Sequence, residues 1–397
     1  METITCLGET NFRNEHKRFG IMRADRRHHT YIIGKTGTGK STLIANLARQ
    51  DIVHGEGLAL LDPHGDLIEQ VLQQVPEEHK SDLVYFDATD PACALAFNPL
   101  EVTQPGTKPL VASGLISVFK KIWSESWGPR MEYILRNVFL ALLDQPGSTL
   151  LDVPRLLDDA DFRSYVVARV QNAEVRRFWL REYQKFPAHF RAEAISPIQN
   201  KIGEFLVNPL LRRIVGQPKS TFDLRQVMDS GKILLVNLAQ GKIGEDSAAL
   251  LGAMLVTKLS LAALSRADIG EDDRRDFHLY VDEFPLFTTT SFAGMLSEMR
   301  KYRLNLALAH QHMAQLDETV RDAILGNVGT IVSFRVGLSD AELLEKEFFP
   351  EFRASDLVNL PNYHVYLKLM IDGVVSKAFS ARTLQGLPIH KVNNNPA

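Results

Sequence analysis

Continuous apolar runs recur along this chain at lengths that suit buried strands: Tyr31–Ile33, Leu58–Leu61, Leu83–Phe86, Ile233–Leu238, Phe277–Val281, Leu304–Ala309 and Val328–Phe334. Runs of this kind, bounded by polar residues and glycines, predict strands covered on both faces, as in a parallel sheet. Helical patterns separate most of them. Alternating strands and helices imply right-handed crossovers and a doubly wound α/β layer. The first three runs lie before residue 90, and the fourth begins only at Ile233.

The interval between them has a different periodicity. Segments 110–123, 130–144, 153–170, 173–185 and 190–207 repeat apolar residues at helical spacing, punctuated by Pro146-Gly147, Pro187 and Pro209. This predicts an all-helical subdomain over 106–225, inserted into an α/β core formed by 1–105 and 226–397. The apolar stretch Leu250–Leu264 contains Lys258 and Ser260 and is too short to span a bilayer, so it is expected to be a buried helix. Ala267–Asp276 reads as a polar loop. Tyr363–Ile371, Asp372-Gly373 and Val374–Phe379 read as a C-terminal β-hairpin on an Asp-Gly turn. Residues 392–397 are expected to be disordered.

The chemistry starts where the first strand ends. Residues 34–41 are Gly34-Lys35-Thr36-Gly37-Thr38-Gly39-Lys40-Ser41, followed by Thr42 and the helical pattern Leu43, Ile44, Leu47. A glycine-rich loop between strand and helix lets backbone N–H groups wrap phosphate oxygens at the positive end of the helix. Lys40 would reach the β- and γ-phosphates, and the Ser41 hydroxyl would ligate Mg²⁺. These features predict an ATP site over residues 34–42.

A second strand, Phe277–Val281, ends in Asp282-Glu283. Asp282 is expected to hold the Mg²⁺ shell and Glu283 to act as general base on the attacking water. The run Leu304–Ala309 leads into His310-Gln311-His312, at a strand end where α/β sheets bind ligands. Gln311 is expected to sense the γ-phosphate or orient water. His310 and His312 have no third ligand nearby and are read as structural. Arg300 and Arg335 are candidates for a guanidinium acting on a neighbouring copy's phosphates. Asp62-Pro63-His64-Gly65-Asp66 has two readings, a tight turn or a carboxylate pair at the nucleotide edge.

Composition narrows the class. The chain has 397 residues, 45% apolar and 23% charged, as in a globular protein. Cys6 and Cys93 make neither a disulfide framework nor a zinc site. No signal-like segment opens the chain, so a cytoplasmic location without an intrinsic membrane span is expected. Net charge is −3, but residues 106–225 hold 18 Lys+Arg against 12 Asp+Glu, a local balance of +6. Basic and aromatic residues interleave at Arg176, Arg177, Phe178, Trp179, Arg181, Tyr183, Lys185, Phe186, His189, Phe190 and Arg191. Such a mixture suits single-stranded DNA. A bundle core with a wet basic face is the preferred reading of the aromatics.

Taken together these residues resemble the HerA/FtsK superfamily of ring-forming DNA-pumping ATPases, and within it the soluble parts of conjugative coupling proteins of type IV secretion. The likeness lies in Tyr31 through Thr42, Leu60 through Leu67, Tyr280 through Phe284, Leu308 through Gln311, and Gly326–Thr330 leading to Phe334-Arg335-Val336. The resemblance implies a RecA-like P-loop NTPase core and a hexameric, DNA-stimulated ATPase with sites between subunits. It also implies a trans-acting arginine, for which Arg300 fits best and Arg335 second. Coupling proteins usually begin with transmembrane helices and HerA-type motors with a β-barrel; neither is expected in the residues before the P-loop. A membrane-anchor, nuclease or relaxase partner could take that place. The rival expectations are a secretion ATPase acting on protein partners and a nucleotide-switched DNA-binding scaffold.

Overall fold

The computed structural model describes residues 4–11, 16–93, 95–102 and 105–386. They form two compact units. One comprises the described residues of Met1–Tyr85, Arg225–Asn237 and Ala263–Ala397, and the other those of Phe86–Leu224 and Leu238–Ala262.

The first unit is built on strands β1 (Ile4–Thr10), β2 (Arg18–Met22), β3 (Thr30–Ile33), β4 (Gly57–Asp62), β5 (Leu83–Asp87), β6 (Ile233–Asn237), β7 (Phe277–Val281), β8 (Leu304–His310), β9 (Thr330–Ser333), β10 (His364–Lys368) and β13 (Phe379–Thr383). Their order across the sheet is β2-β1-β13-β10-β9-β3-β8-β7-β4-β6-β5. The stretch from β9 to β6 is parallel. From β9 outward, β10, β13, β1 and β2 pair antiparallel. The sheet is therefore mixed but mostly parallel at its centre, an α/β fold as the apolar runs predict.

Each of the seven expected strands forms, with ends shifted by a residue or two. The N-terminal hairpin β1–β2 was not expected. Its strands carry few continuous apolar residues, and their pairing with β13 comes from the far end of the chain. The C-terminal hairpin forms at its tip as β11 (Met370–Ile371) and β12 (Val374–Val375). Asp372 and Gly373 have φ of 51° and 76°, the left-handed pair that a tight hairpin turn requires. Their N–H groups donate to the Asp25 carboxylate at 3.0 and 2.9 Å. The longer stems β10 and β13 join the main sheet. Residues 392–397 lie outside the described residues.

Helix α1 (Lys40–Val53) and the short helix α2 (Asp66–Leu72) pack on one face of this sheet. Leu43, Ile44, Leu47, Ile68 and Val71 meet Ile32, Leu58, Leu60, Leu235, Tyr280 and Val332 in a single core. Burying such side chains is the main source of stability here, about 1.5–3 kcal/mol for each full burial. The same core holds a charged group. Arg26 forks onto Asp51, and Tyr280 donates to that carboxylate at 2.5 Å. Burial opposes the Asp51 charge, but Arg26 and Tyr280 outweigh it and hold the carboxyl below its usual range.

The second unit is helical. Its elements include Lys108–Ile122, Pro129–Leu143, Asp152–Asp158, Ala160–Val167, Ala173–Arg177, Ala188–Val207 and Pro209–Val215. The periodic stretch 153–170 is two helices rather than one, because Asp159 accepts from the N–H groups of Asp161 and Phe162 at 3.0 and 2.9 Å and starts a new helix. The stretch 173–185 changes from α-helix to a π-turn at Phe178–Glu182, then to a 3₁₀ turn. Compact packing draws this unit wider than 106–225. The apolar helix Glu245–Leu264 belongs to it: a Cβ on Gly114 would lie 2.6 Å from the Thr257 side chain, so the two helices approach closely. The apolar window of that helix is 72% buried, as a core helix should be.

Burial holds His29 and His278 in the neutral form inside the sheet unit. The Leu306 N–H donates to His29 Nδ1 at 3.2 Å, so Nε2 carries the proton and donates to the Leu296 carbonyl at 3.2 Å. Burial pushes His29 down to about 4, and burial with the nearby Arg26 guanidinium does the same to His278. Above pH 6.5 both folded and unfolded chains carry these rings neutral. Between about 6.5 and 4 only the unfolded chain takes up protons there, so stability falls as pH falls, by up to about 1.4 kcal/mol per pH unit for each ring. Denaturant midpoints measured from pH 7.5 to 4.5 should show this slope, and His278→Gln should flatten it; an unchanged slope in the variant would count against the assignment.

Candidate active site

The P-loop leaves the end of β3 and wraps the start of α1. Gly37 and Gly39 have φ of 74° and 119°, which residues with a side chain rarely adopt. A Cβ on Gly39 would also come within 2.8 Å of the Tyr363 ring. The loop is pinned on both sides: the Gly34 N–H donates to the His310 carbonyl at 3.3 Å and the Lys35 N–H to the Arg335 carbonyl at 2.8 Å. Thr38, fully buried, donates its hydroxyl to the Lys35 carbonyl at 2.7 Å. Lys40 is buried and its ammonium donates to the carbonyls of Gly34 and Lys35 at 2.6 and 3.3 Å. Burial lowers its pKa, against the pull of Asp282 and Glu283. A phosphate would supply the counter-charge that neutral carbonyls do not.

Asp282 and Glu283 follow β7. The Ser41 hydroxyl donates to Asp282 Oδ2 at 3.0 Å, across 241 residues of chain. Burial pushes the Asp282 carboxyl above its ordinary range; the Ser41 bond opposes this, and the Glu283 charge adds to it. A divalent cation beside Asp282 would reverse that shift. Among the described residues no group of three His, Cys, Asp or Glu side chains is placed to hold a metal alone. A hydroxyl and one carboxylate are the sparse protein ligands that Mg²⁺ takes when phosphate oxygens and water fill the rest. The donor set therefore fits Mg²⁺ bound with a nucleotide, through Ser41 and Asp282.

The strand order decides the rest. β8 lies between β3 and β7, so the residue after β8 sits between the P-loop and the acidic pair. Gln311 takes that place: its Nε2 donates to Glu283 Oε1 at 2.6 Å, and its Oε1 accepts from the Thr36 hydroxyl at 2.6 Å. Glu283 is left-handed at φ 52°, a strained conformation for a non-glycine residue, and its side chain is buried. Thr36, Gly37, Lys40, Ser41, Thr42, Asp282, Glu283 and Gln311 line one cleft of about 190 Å³. His310 is not a ligand: its Nε2 shares a 2.6 Å hydrogen bond with the Tyr31 hydroxyl, and burial pushes its pKa down to about 3.

The turn reading of Asp62–Asp66 is the one the geometry carries, and neither carboxylate lines the cleft. Asp62 accepts from the N–H groups of His64 and Leu67 at 2.8 and 2.9 Å, so it closes the turn and caps α2. His64 reaches the cleft. Tyr363 also lines it, held by its N–H donating to the Thr38 carbonyl at 2.8 Å. Sequence reasoning missed Tyr363, which enters from the C-terminal hairpin and carries no motif. Neither arginine lines the cleft. Arg300 is exposed, 3.3 Å from His28 Nδ1 at the edge where the parallel strands begin. Arg335 follows β9, and its guanidinium donates to the Leu360 carbonyl and Asn362 Oδ1 at 3.1 and 3.0 Å. Within one copy, Gln311 joins Glu283 and the P-loop, whereas Arg335 meets the loop only through its carbonyl and neither guanidinium lines the cleft.

Comparison with known proteins places this arrangement. No curated protein matches the chain. Among solved structures, the unbound monoclinic form of the bacterial conjugative coupling protein TrwBdeltaN70 superposes with a TM-score of 0.66 at 15% identity, covering 100% of this chain and 92% of that one. The plasmid coupling protein TrwB in complex with ADP and Mg²⁺ matches with the same score, identity and coverage. VirB4 of Thermoanaerobacter pseudethanolicus matches with a TM-score of 0.61 at 15% identity, covering 97% of each chain. These likenesses show the fold, a RecA-like P-loop NTPase. The family model of the type IV secretion-system coupling protein DNA-binding domain matches residues 16–346, and the chain belongs to that family.

Proposed function

We propose that this protein is an ATP-hydrolysing motor that moves or transfers DNA, working as a ring of copies, with six the number expected for its family. The observation that carries the reading is the 3.0 Å contact between Ser41 and Asp282, with Lys40 and Glu283 facing the same cleft. Family membership supports DNA as the partner, and the TrwB complexes with ADPNP and with ADP and Mg²⁺ support the nucleotide and the ion. In this reading residues 1–105 and 226–397 form the motor core, and 106–225 is the inserted helical part. This reading places the work in the cytoplasm, with a membrane-anchor, nuclease or relaxase protein as a further partner.

In the mechanism Lys40 leaves its two carbonyl partners for the β- and γ-phosphates, and the P-loop N–H groups hold the phosphate oxygens. Ser41 and Asp282 would hold Mg²⁺, which when bound would neutralise charge on the phosphates. Glu283 takes the proton of the attacking water, a role worth about 10²–10⁴ in rate. Gln311 links that base to Thr36 at the loop tip, so a γ-phosphate that displaces the Thr36 hydroxyl also frees the Gln311 carbonyl oxygen. An arginine from a neighbouring copy, Arg300 or Arg335, completes the charge. Because neither lines the cleft of its own chain, this role requires an oligomer.

Three outcomes test the reading. Lys40→Ala and Glu283→Gln should each lower kcat by about 10² or more while thermal unfolding stays near wild type; wild-type turnover in either variant would refute the site. Thr36→Val and Gln311→Ala should share one effect, with a coupling of about 0.5–3 kcal/mol in a double-mutant cycle on kcat. Additive losses would show that the relay does not act as a unit. Single- or double-stranded DNA should stimulate hydrolysis, and its binding should weaken steeply with salt as counterions are released. Stimulation by a partner protein and not by nucleic acid at low salt would favour the secretion ATPase, and negligible turnover in every condition the scaffold.

A further inference from the structure

The helical unit contains a cleft of its own, of about 390 Å³, between helix Ala160–Val167, the segment 173–185 and the start of helix Ala188–Val207. Arg163, Arg176 and Arg191 line it. Each is held by main-chain carbonyls. Arg163 donates to Leu156 and Leu157 at 3.1 and 3.0 Å, Arg176 to Val170, and Arg191 to Tyr183, Gln184 and Phe186 at 3.5, 3.3 and 3.3 Å. Among the described residues none of the three forms an ion pair with a carboxylate. Carbonyls orient a guanidinium without cancelling its charge, and five N–H donors leave some for a ligand.

The cleft's wall also holds donors without acceptors. Trp179 is 1% exposed, and its indole Nε1 has no hydrogen-bond partner; the Arg191 Nε is likewise buried and unpaired. Both nitrogens lie behind the cleft surface, and it is the three guanidinium groups lining the cleft that favour an acceptor-rich guest. The π-turn Phe178–Glu182 sets Trp179 and Leu180 at this place, and such turns recur at functional sites. Leu180 is 49% exposed and, with Val167, gives the cleft an apolar side. Inorganic phosphate would use the arginines and leave that side wet. The volume lies in the range of about 300–1,000 Å³ that suits small organic ligands.

We propose that this cleft binds one nucleotide unit, its phosphate against Arg163, Arg176 and Arg191 and its base against Val167 and Leu180. The unit is either a free nucleotide or one residue of a single DNA strand. In the second case the proposal rests on the DNA reading above and gives it a contact point outside the ATP site.

The test is equilibrium dialysis of the full chain with excess ADP and Mg²⁺ filling the P-loop. The probes are dTMP, thymidine, inorganic phosphate and a ten-residue oligothymidylate. Ala168→Glu places a carboxylate at the cleft without removing any hydrogen bond, because the alanine side chain makes none and is exposed. Arg163→Gln with Arg191→Gln is the second variant, and thermal unfolding checks that both fold. We expect dTMP or the oligonucleotide to bind and to weaken at least tenfold in Ala168→Glu, with thymidine and phosphate at least tenfold weaker than dTMP. Oligonucleotide binding at least tenfold tighter than dTMP, and lost in the variant, identifies the single strand as the source; loss for dTMP alone identifies the free nucleotide. If neither probe binds, or if neither weakens in the two folded variants, the proposal fails. DNA-stimulated hydrolysis that persists in Ala168→Glu alongside unchanged binding sinks the cleft and leaves the DNA motor standing.

Discussion

The placement of β8 between β3 and β7 is the constraint on which the catalytic cleft depends. Parallel strands present their carboxyl ends along one edge, so adjacent strands deliver adjacent residues. Thr36 follows β3, far in the chain from Glu283 and Gln311 after the consecutive strands β7 and β8, and the three meet through two 2.6 Å hydrogen bonds. A sheet with β8 elsewhere would leave Glu283 without an orienting partner and the P-loop tip without a link to that carboxylate. The left-handed backbone at Glu283 fits the same picture: strain at one residue is tolerated because its neighbours hold it from several sides.

Electrostatics then explains why the edge favours a charged nucleotide with a divalent ion. Asp62 and Asp282 are both buried, and both carboxyls are raised, chiefly by burial, with the Asp282 charge adding to the rise at Asp62. Asp62 is compensated by N–H groups at the start of α2. Among the described residues Asp282 accepts hydrogen bonds only from the Ser41 hydroxyl and the Glu283 N–H. Lys40 has the complementary problem, a buried ammonium facing neutral carbonyls. Anion and cation placed together between them relieve both, which is why nucleotide and metal are expected to bind as one.

The helical unit handles charge by another route. Phe178, Trp179 and Tyr183 are buried at 1%, 1% and 0% exposure and form its aromatic core. The bundle reading therefore holds for Phe178 and Trp179, whereas Phe190 is only half-buried, with the Arg130 guanidinium 4.5 Å from its ring centre. The arginines interleaved with them are not simply a wet face, since three of them converge on one cleft with carbonyls as their partners. Local basic excess in the sequence has a geometric counterpart there.

The P-loop, the Asp-Glu strand end and the seven apolar runs were legible in the chain alone, because each is a local pattern whose meaning depends on residues within one turn or strand. The same holds for the Asp372-Gly373 turn and for Gln311 as a strand-end polar residue. Only the tertiary structure decided which partners those residues have: that Gln311 bridges Thr36 and Glu283, that Tyr363 closes over Gly39, that Asp62 caps a helix, and that Arg300 and Arg335 lie off the cleft of their own chain. It also decided the β1–β2 hairpin and the break of 153–170 at Asp159. The physical reason is common to all of them. Periodicity and motif report what a segment can be, whereas strand order and packing, set by contacts between segments up to hundreds of residues apart, determine what it touches.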